Sequence, residues 1–291
     1  MKIAFCRWPL FLAVFLAAPV RAIDLQPLDL LAPPAGMKYL QLSYQHSERG
    51  GRYQNGELLP IDSKIRASQL VLRLGRAFEW ADYPALTYGQ IPIAGDIHPE
   101  AALSGLEGDS GIGDASFLLA IWPYAHREKQ TYVGVGAYLT VPTGSYRPER
   151  GFFNMGANRY AAALQAGFLT SLAPKWHVMA AYDIVWFGKN SDFGASHADF
   201  EQELLYTAQA GLSYSPTREY SVNATYFLVR GGESSINQVA RQDTAQIHRY
   251  QLSGNAQFSF GRVTLQYGQD IATEHGFIED DRWTLRFTKR F

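Results

Sequence analysis

Cysteine is all but missing. The 291-residue chain holds one, Cys6, so neither a disulfide framework nor a cysteine-based metal site can be built. Charged residues are scarce, at 18%, and balanced: 26 basic against 27 acidic, a formal net charge of -1. With no Lys/Arg block, nucleic acid is excluded as the main partner. Beyond residue 22 no run of 18 consecutive apolar residues occurs, which excludes a helical membrane anchor there. What the chain has in quantity is aromatics, with 17 Tyr and 17 Phe, and glycine, with 26. That composition belongs to an ordered protein.

Residues 1–22 read as a secretory signal peptide. Lys2 and Arg7 precede an apolar run from Trp8 to Ala18, too short for a membrane span of about 20 residues. Val20-Arg21-Ala22 then offers small residues for cleavage after Ala22, with Ala18 as the alternative. Residues 23–36 are Pro-rich and aperiodic and are expected to be an extended N-terminal segment. Over 37–291 the pattern changes to period two, the spacing of a strand with two different faces.

Ile247–Phe260 shows it best. Tyr250, Leu252, Phe258 and Phe260 share one face, while Arg249, Gln251, Ser253 and Asn255 share the other. Twelve such segments are predicted, near 38–46, 66–76, 83–93, 114–123, 131–142, 160–172, 176–188, 204–215, 220–230, 247–260, 263–271 and 282–291. Pro84 and Pro92 interrupt the third, and Ala161–Ala163 blur the sixth. Long polar connections (47–65, 94–113, 143–159, 189–203, 231–246, 272–281) alternate with short ones such as Ala173-Pro174-Lys175 and Gly261-Arg262, which puts all the long loops at one end of an up-and-down meander.

Alternation alone also fits a soluble sandwich. The polar faces decide against it, being rich in Gln, Ser, Thr and Asn and poor in Lys and Glu, while aromatics (Tyr182, Trp186, Trp283) sit toward strand ends, where bilayer interfaces would lie. The expected fold is all-β: an up-and-down antiparallel transmembrane barrel of 12 strands in the bacterial outer membrane. Only a closed barrel pairs every backbone group of a sheet within lipid. Phe291 ends an aromatic-alternating last strand, resembling the C-terminal signal read by the barrel assembly machinery. Membrane lipid and lipopolysaccharide are the other expected partners.

Specific motifs stand in the middle of the chain: Gly111-Ile112-Gly113-Asp114 opening a strand, Val141-Pro142-Thr143-Gly144-Ser145-Tyr146 closing one, then Asn154-Met155-Gly156-Ala157-Asn158-Arg159, with Trp176, Tyr182 and Asn190 beyond. In order and spacing the chain resembles the outer-membrane family labelled "MetA-pathway of phenol degradation", distantly like the long-chain fatty-acid transporters. The resemblance implies a channel passing small hydrophobic or aromatic compounds. It departs from the fatty-acid transporters at the N-terminus, where 23–36 is too short for a folded hatch domain and leaves at most a segment threading the lumen.

For Gly111, Gly113 and Asp114, a turn leading into a strand competes with a ligand or cation site. Pro142, Thr143 and Gly144 form a turn at a strand exit. Asn154 and Asn158 either bond their own loop or fold inward to narrow the pore. By parity Arg73, Arg249, Arg282, Arg286 and Arg290 face the lumen, as do Asp183 and Asp270. Ion pairs bracing the interior compete here with a charged constriction that orients a solute. Tyr39, Tyr132, Tyr138 and Trp122 face inward too. No catalytic set emerges: Ser196-His197 is the nearest candidate, His197, Asp199 and Glu201 are the nearest to a metal site, and a solvated loop explains both. No metal or cofactor is expected. A lipid-acting barrel enzyme and a closed structural or surface-binding barrel are the functional alternatives.

Overall fold

The computed structural model describes residues 23–291; the expected signal peptide lies outside the described residues. Twelve strands build the cylinder: β1 (Lys38–Gln54), β2 (Ser63–Trp80), β3 (Tyr83–Ala101), β4 (Ala115–His126), β5 (Thr131–Val141), β6 (Ala161–Ala173), β7 (Trp176–Phe187), β8 (Leu205–Tyr214), β9 (Tyr220–Gly231), β10 (Ala245–Phe258), β11 (Gly261–Thr273) and β12 (Gly276–Arg290). Each pairs antiparallel with the next, and β1 closes on β12 from Tyr39↔Arg290 to Tyr53↔Gly276. The expected twelve-strand barrel is thus borne out.

The polarity is inverted relative to a soluble core. Leu252 and Leu285 are 50% and 51% exposed on the outside, whereas Gln251 and Ser253 beside Leu252 are buried at 5% and 9%. Outward aromatics pair across strands near both ends of the wall. Trp176 meets Tyr214 at 4.6 Å and Phe258 stacks on Phe260 at 5.0 Å at one end, and Tyr267 meets Trp283 at 4.7 Å toward the other. These are the two interfacial girdles of a membrane barrel. Replacing Leu252 by Arg should therefore destabilise the barrel by about 2–4 kcal/mol, the cost of a cation on the lipid face near mid-bilayer. Urea unfolding in lipid vesicles measures this, and an unshifted midpoint would show that Leu252 does not face lipid.

Three of the expected connections differ from the structure, 94–113 among them because β3 continues to Ala101. The stretch 272–281 is no long loop: β11 and β12 meet in a two-residue turn, Glu274-His275. Its charges read as loop, but Glu279 points inward to Arg49 and Arg249 (both 3.3 Å), while Asp281 takes the Tyr267 hydroxyl at 2.9 Å. The stretch 47–65 is likewise mostly strand, because Glu48 is paired across the ladder by Lys64 at 2.7 Å and Arg66 at 3.3 Å. As a result β1, β2, β3 and β12 (17, 18, 19 and 15 residues) rise above a wall whose β8 has only 10. β3 runs through both prolines. Pro84 sits at its start, and Pro92 lies where the β3–β4 ladder has stopped at Gln90↔Ser116, so its missing N–H breaks no pairing there.

Strand spacing and tilt give twelve strands a backbone diameter of roughly 24 Å. Side chains reaching in from both walls leave about 12 Å free, room for one further chain segment beside a narrow passage.

Candidate functional site

That segment is supplied by residues 23–36. Within it lies one 3-10 turn, over Pro27–Leu30, with Asp29 Oδ2 accepting from the Gln26 N–H at 3.1 Å. It climbs inside the wall formed by β5–β8 with an apolar anchor at each end. Leu30 and Ala32 pack with Trp122, Tyr132, Leu169 and Met179, and Ile23 packs against Ala161, Ala163, Val185 and Phe187. Burying one leucine contributes about 1.5–3 kcal/mol. Close approach needs glycine opposite: a Cβ on Gly167 would lie 2.6 Å from Leu30, and one on Gly211 would lie 2.9 Å from Pro27.

Hydrogen bonds fix the same segment. Trp122 Nε1 donates to Leu30 O at 2.8 Å, and Gln209 Nε2 and Gln165 Nε2 donate to Ile23 O at 2.7 and 3.2 Å. Those two amides also hold Asp183 Oδ1, at 3.0 and 3.3 Å, so Asp183, wholly buried, lies beneath the segment rather than in open lumen. Tyr138 joins this group, its hydroxyl donating to Gln165 Oε1 at 3.0 Å. Across the lumen Asp24 pairs with Arg282 at 2.8 Å and Asp29 approaches Arg286 at 3.9 Å.

Between the segment and the barrel wall remains a cavity of about 740 Å³, lined by Leu28 and Leu31 of the segment and by Arg73, Arg286 and Tyr138 of the wall. Its volume falls in the range of small-molecule sites, about 300–1,000 Å³. Arg249 and Asp270 do not line it. They form a sealed pair at 2.6 Å, tied to Glu279, which Arg282 also approaches at 3.5 Å. Parity alone puts these charges on the inner face, but it does not distinguish Glu279, Gln165 and Gln209 from their neighbours. Glu279 was masked by its loop-like neighbourhood, and the glutamines looked like ordinary lumen filler.

The loop motifs converge at the outer mouth. The Asp114 carboxylate accepts from Gly144 N at 2.8 Å and Ala157 N at 2.7 Å, and Thr143 Oγ1 accepts from Ala115 N at 2.9 Å. Gly144 and Gly156 lie backbone to backbone, since a Cβ on Gly144 would be 2.7 Å from Gly156 Cα. Asn154 Oδ1 accepts from Arg147 N at 2.7 Å, and Asn158 Nδ2 donates to Asn190 at 3.0 Å. Gly111 has φ +152°, and Gly113 N donates to Pro92 O at 2.9 Å. Folded this way, 142–160 brings Asn154, Met155 and Ala157 into the cavity wall.

Outside the membrane a separate four-stranded sheet (190–193, 198–202, 234–236, 239–240) caps the long loops. Phe193 packs on Phe152 at 4.6 Å and on Phe200 at 4.8 Å. Arg159 lies over the Phe187 and Phe200 rings at 4.7 and 4.9 Å, and burial lowers its guanidinium to about 10. In this sheet His197 pairs with Asp192 at 2.5 Å, and Lys189 takes both Asp199 (2.6 Å) and Glu201 (3.6 Å). Among the described residues, no three His, Cys, Asp or Glu side chains come together as a metal site.

A closed cylinder with an apolar outside, a polar inside and a partly filled passage defines an outer-membrane β-barrel channel. The chain belongs to the family described as "Putative MetA-pathway of phenol degradation", whose model matches residues 51–287. It is similar to the COG4313 outer membrane channel from Pseudomonas putida F1 at 30% identity and a TM-score of 0.88, over 92% of this chain and 100% of that one. More distant barrels share the fold alone. The β domain of the Bordetella autotransporter BrkA has 11% identity and a TM-score of 0.51 over 89% of this chain and 100% of its own. The TodX monoaromatic hydrocarbon channel deltaS2S3 mutant has 10% identity and a TM-score of 0.51 over 91% and 92%. No curated protein matches the chain.

Proposed function

We propose that this channel carries small aromatic and other hydrophobic compounds across the bacterial outer membrane by passive diffusion, without cofactor or energy input. The observation that carries the reading is the cleft itself, narrow, lined by Leu28 and Leu31 of the segment and by tyrosines among polar groups of the wall. A general porin would leave a wide aqueous lumen; here a segment of the chain runs inside it. The family's description, phenol degradation, names the same chemical class. In this reading residues 1–22 direct export and are removed, Phe291 is read by the barrel assembly machinery, and the charged outer rim meets lipopolysaccharide.

Purified protein in vesicles whose outer leaflet contains lipopolysaccharide should take up phenol, toluene and a medium-chain fatty acid faster than protein-free vesicles of the same composition. Equal rates for all three would refute the channel reading. Release of free fatty acid from the vesicle phospholipid would point instead to an enzyme.

A further inference from the structure

One wall of the cleft carries an excess of cations. The strand pairings place Gln90, Arg73, Gln41, Thr288 and Arg262 in one inward row, and Val71, Ser43, Arg286 and Thr264 in the next. Arg73, Arg262, Arg286 and Arg290 all line the cavity. Among the described residues, no carboxylate lies within ion-pair distance of Arg73, Arg262 or Arg290, and the contact of Arg286 with Asp29 is a loose 3.9 Å. Of the other acids of the cavity, Asp24 is held by Arg282 at 2.8 Å and Asp114 by the loop N–H groups of Gly144 and Ala157, while Asp96 lies at the exposed end, 3.2 Å from His98.

The arginines are fixed in place. Arg73 donates twice to Gln90 Oε1, at 2.9 and 2.6 Å, and its guanidinium lies 4.1 Å from the Tyr88 ring centroid. Arg286 Nε is enclosed and has no acceptor. Enclosed cations that outnumber their counter-ions, here Arg73, Arg262 and Arg286 around the single Asp29, are costly to keep, and their field is strong where water is confined to a narrow passage. A visiting carboxylate supplies the missing charge, and a guanidinium takes it through two N–H donors. The same cavity is lined by Tyr39, Tyr88 and Tyr138 and, from the segment, by Leu28 and Leu31. These give the rest of such a solute a flat, apolar seat.

Resting on the channel reading, we infer that the cleft selects anionic aromatic solutes, with aromatic carboxylates as the preferred class: Arg73, Arg262 and Arg286 draw the carboxylate while Tyr39, Tyr88 and Tyr138 receive the ring.

The test compares benzoate, benzyl alcohol and benzylammonium in the same proteoliposomes, at a pH where both ions are fully charged, alongside the reversal potential of single channels in a KCl gradient. Benzoate should cross several-fold faster than benzyl alcohol and benzylammonium slowest, and the reversal potential should report chloride over potassium. The double variant Arg73→Gln/Arg286→Gln should bring the benzoate to benzyl alcohol ratio toward one, whereas Arg73→Lys/Arg286→Lys should retain most of it. Benzyl alcohol crossing as fast as benzoate, or potassium preferred over chloride, overturns the inference and leaves the channel standing. If no probe exceeds empty vesicles, the channel reading falls and this inference with it. Should the glutamine variant not insert, the wild-type order of rates and its reversal potential still decide.

Discussion

Deleting residues 25–34 should raise single-channel conductance several-fold while the barrel stays folded. The segment lies within a passage roughly 12 Å across, and conductance follows the free cross-section. None of the twelve strands is touched. Their ladders, including the β1–β12 closure, make no use of residues 25–34. The deletion does expose Trp122, Leu169 and Met179 to the lumen, so some thermal stability should be lost along with the gain in current. Retained migration as a folded species on an unboiled gel, combined with a larger current in planar bilayers, is the expected pair of results. An unchanged current in a folded barrel would show that the segment does not obstruct the path.

The second large effect is expected at Asp114. Its two oxygens hold two separate points of the 142–160 loop, Gly144 N and Ala157 N. A hydrogen bond to a charged acceptor contributes about 1.5–3 kcal/mol. Asp114→Ala removes both bonds that tie the loop to β4. A loss of about 3 kcal/mol shifts the docked-to-open ratio of the loop by roughly a hundredfold. The variant's loop should be cut far faster by protease added to whole cells, and its current should become larger and noisier. Asp114→Asn, which keeps one acceptor, should fall between. Protease resistance equal to the parent would remove Asp114 from the role of anchor.

The barrel was legible because its signal is local. Each strand sorts its own residues by period two, and the low charge of the polar face in Ile247–Phe260 told lipid from water without any tertiary information. The same parity put Arg73, Asp183, Arg249 and Arg286 on the inner face. What parity could not supply was distance along the axis and across the lumen. Arg249 and Asp270 meet in a closed pair, Arg73 and Arg286 border open space, and nothing in their strand neighbours tells these situations apart. Glu279 went unnoticed because charge near a chain bend reads as loop until the partners Arg49 and Arg249, from two other strands, are seen around it. The path of 23–36 was illegible for a related reason: it has no period of its own, and its shape is dictated by the groove that Gly167 and Gly211 leave open.

The pairing of β1 with β12 has a consequence for biogenesis. The seam joins Lys38 to Phe291 through a backbone hydrogen bond of 2.8 Å, so the ring cannot shut until β12 is present to meet β1. Contacts this far apart along a chain form late and slowly. The piece that ends up inside is spliced directly onto β1, one lip of that seam. The stopper and the last pairing of the ring thus hang from the same stretch of chain.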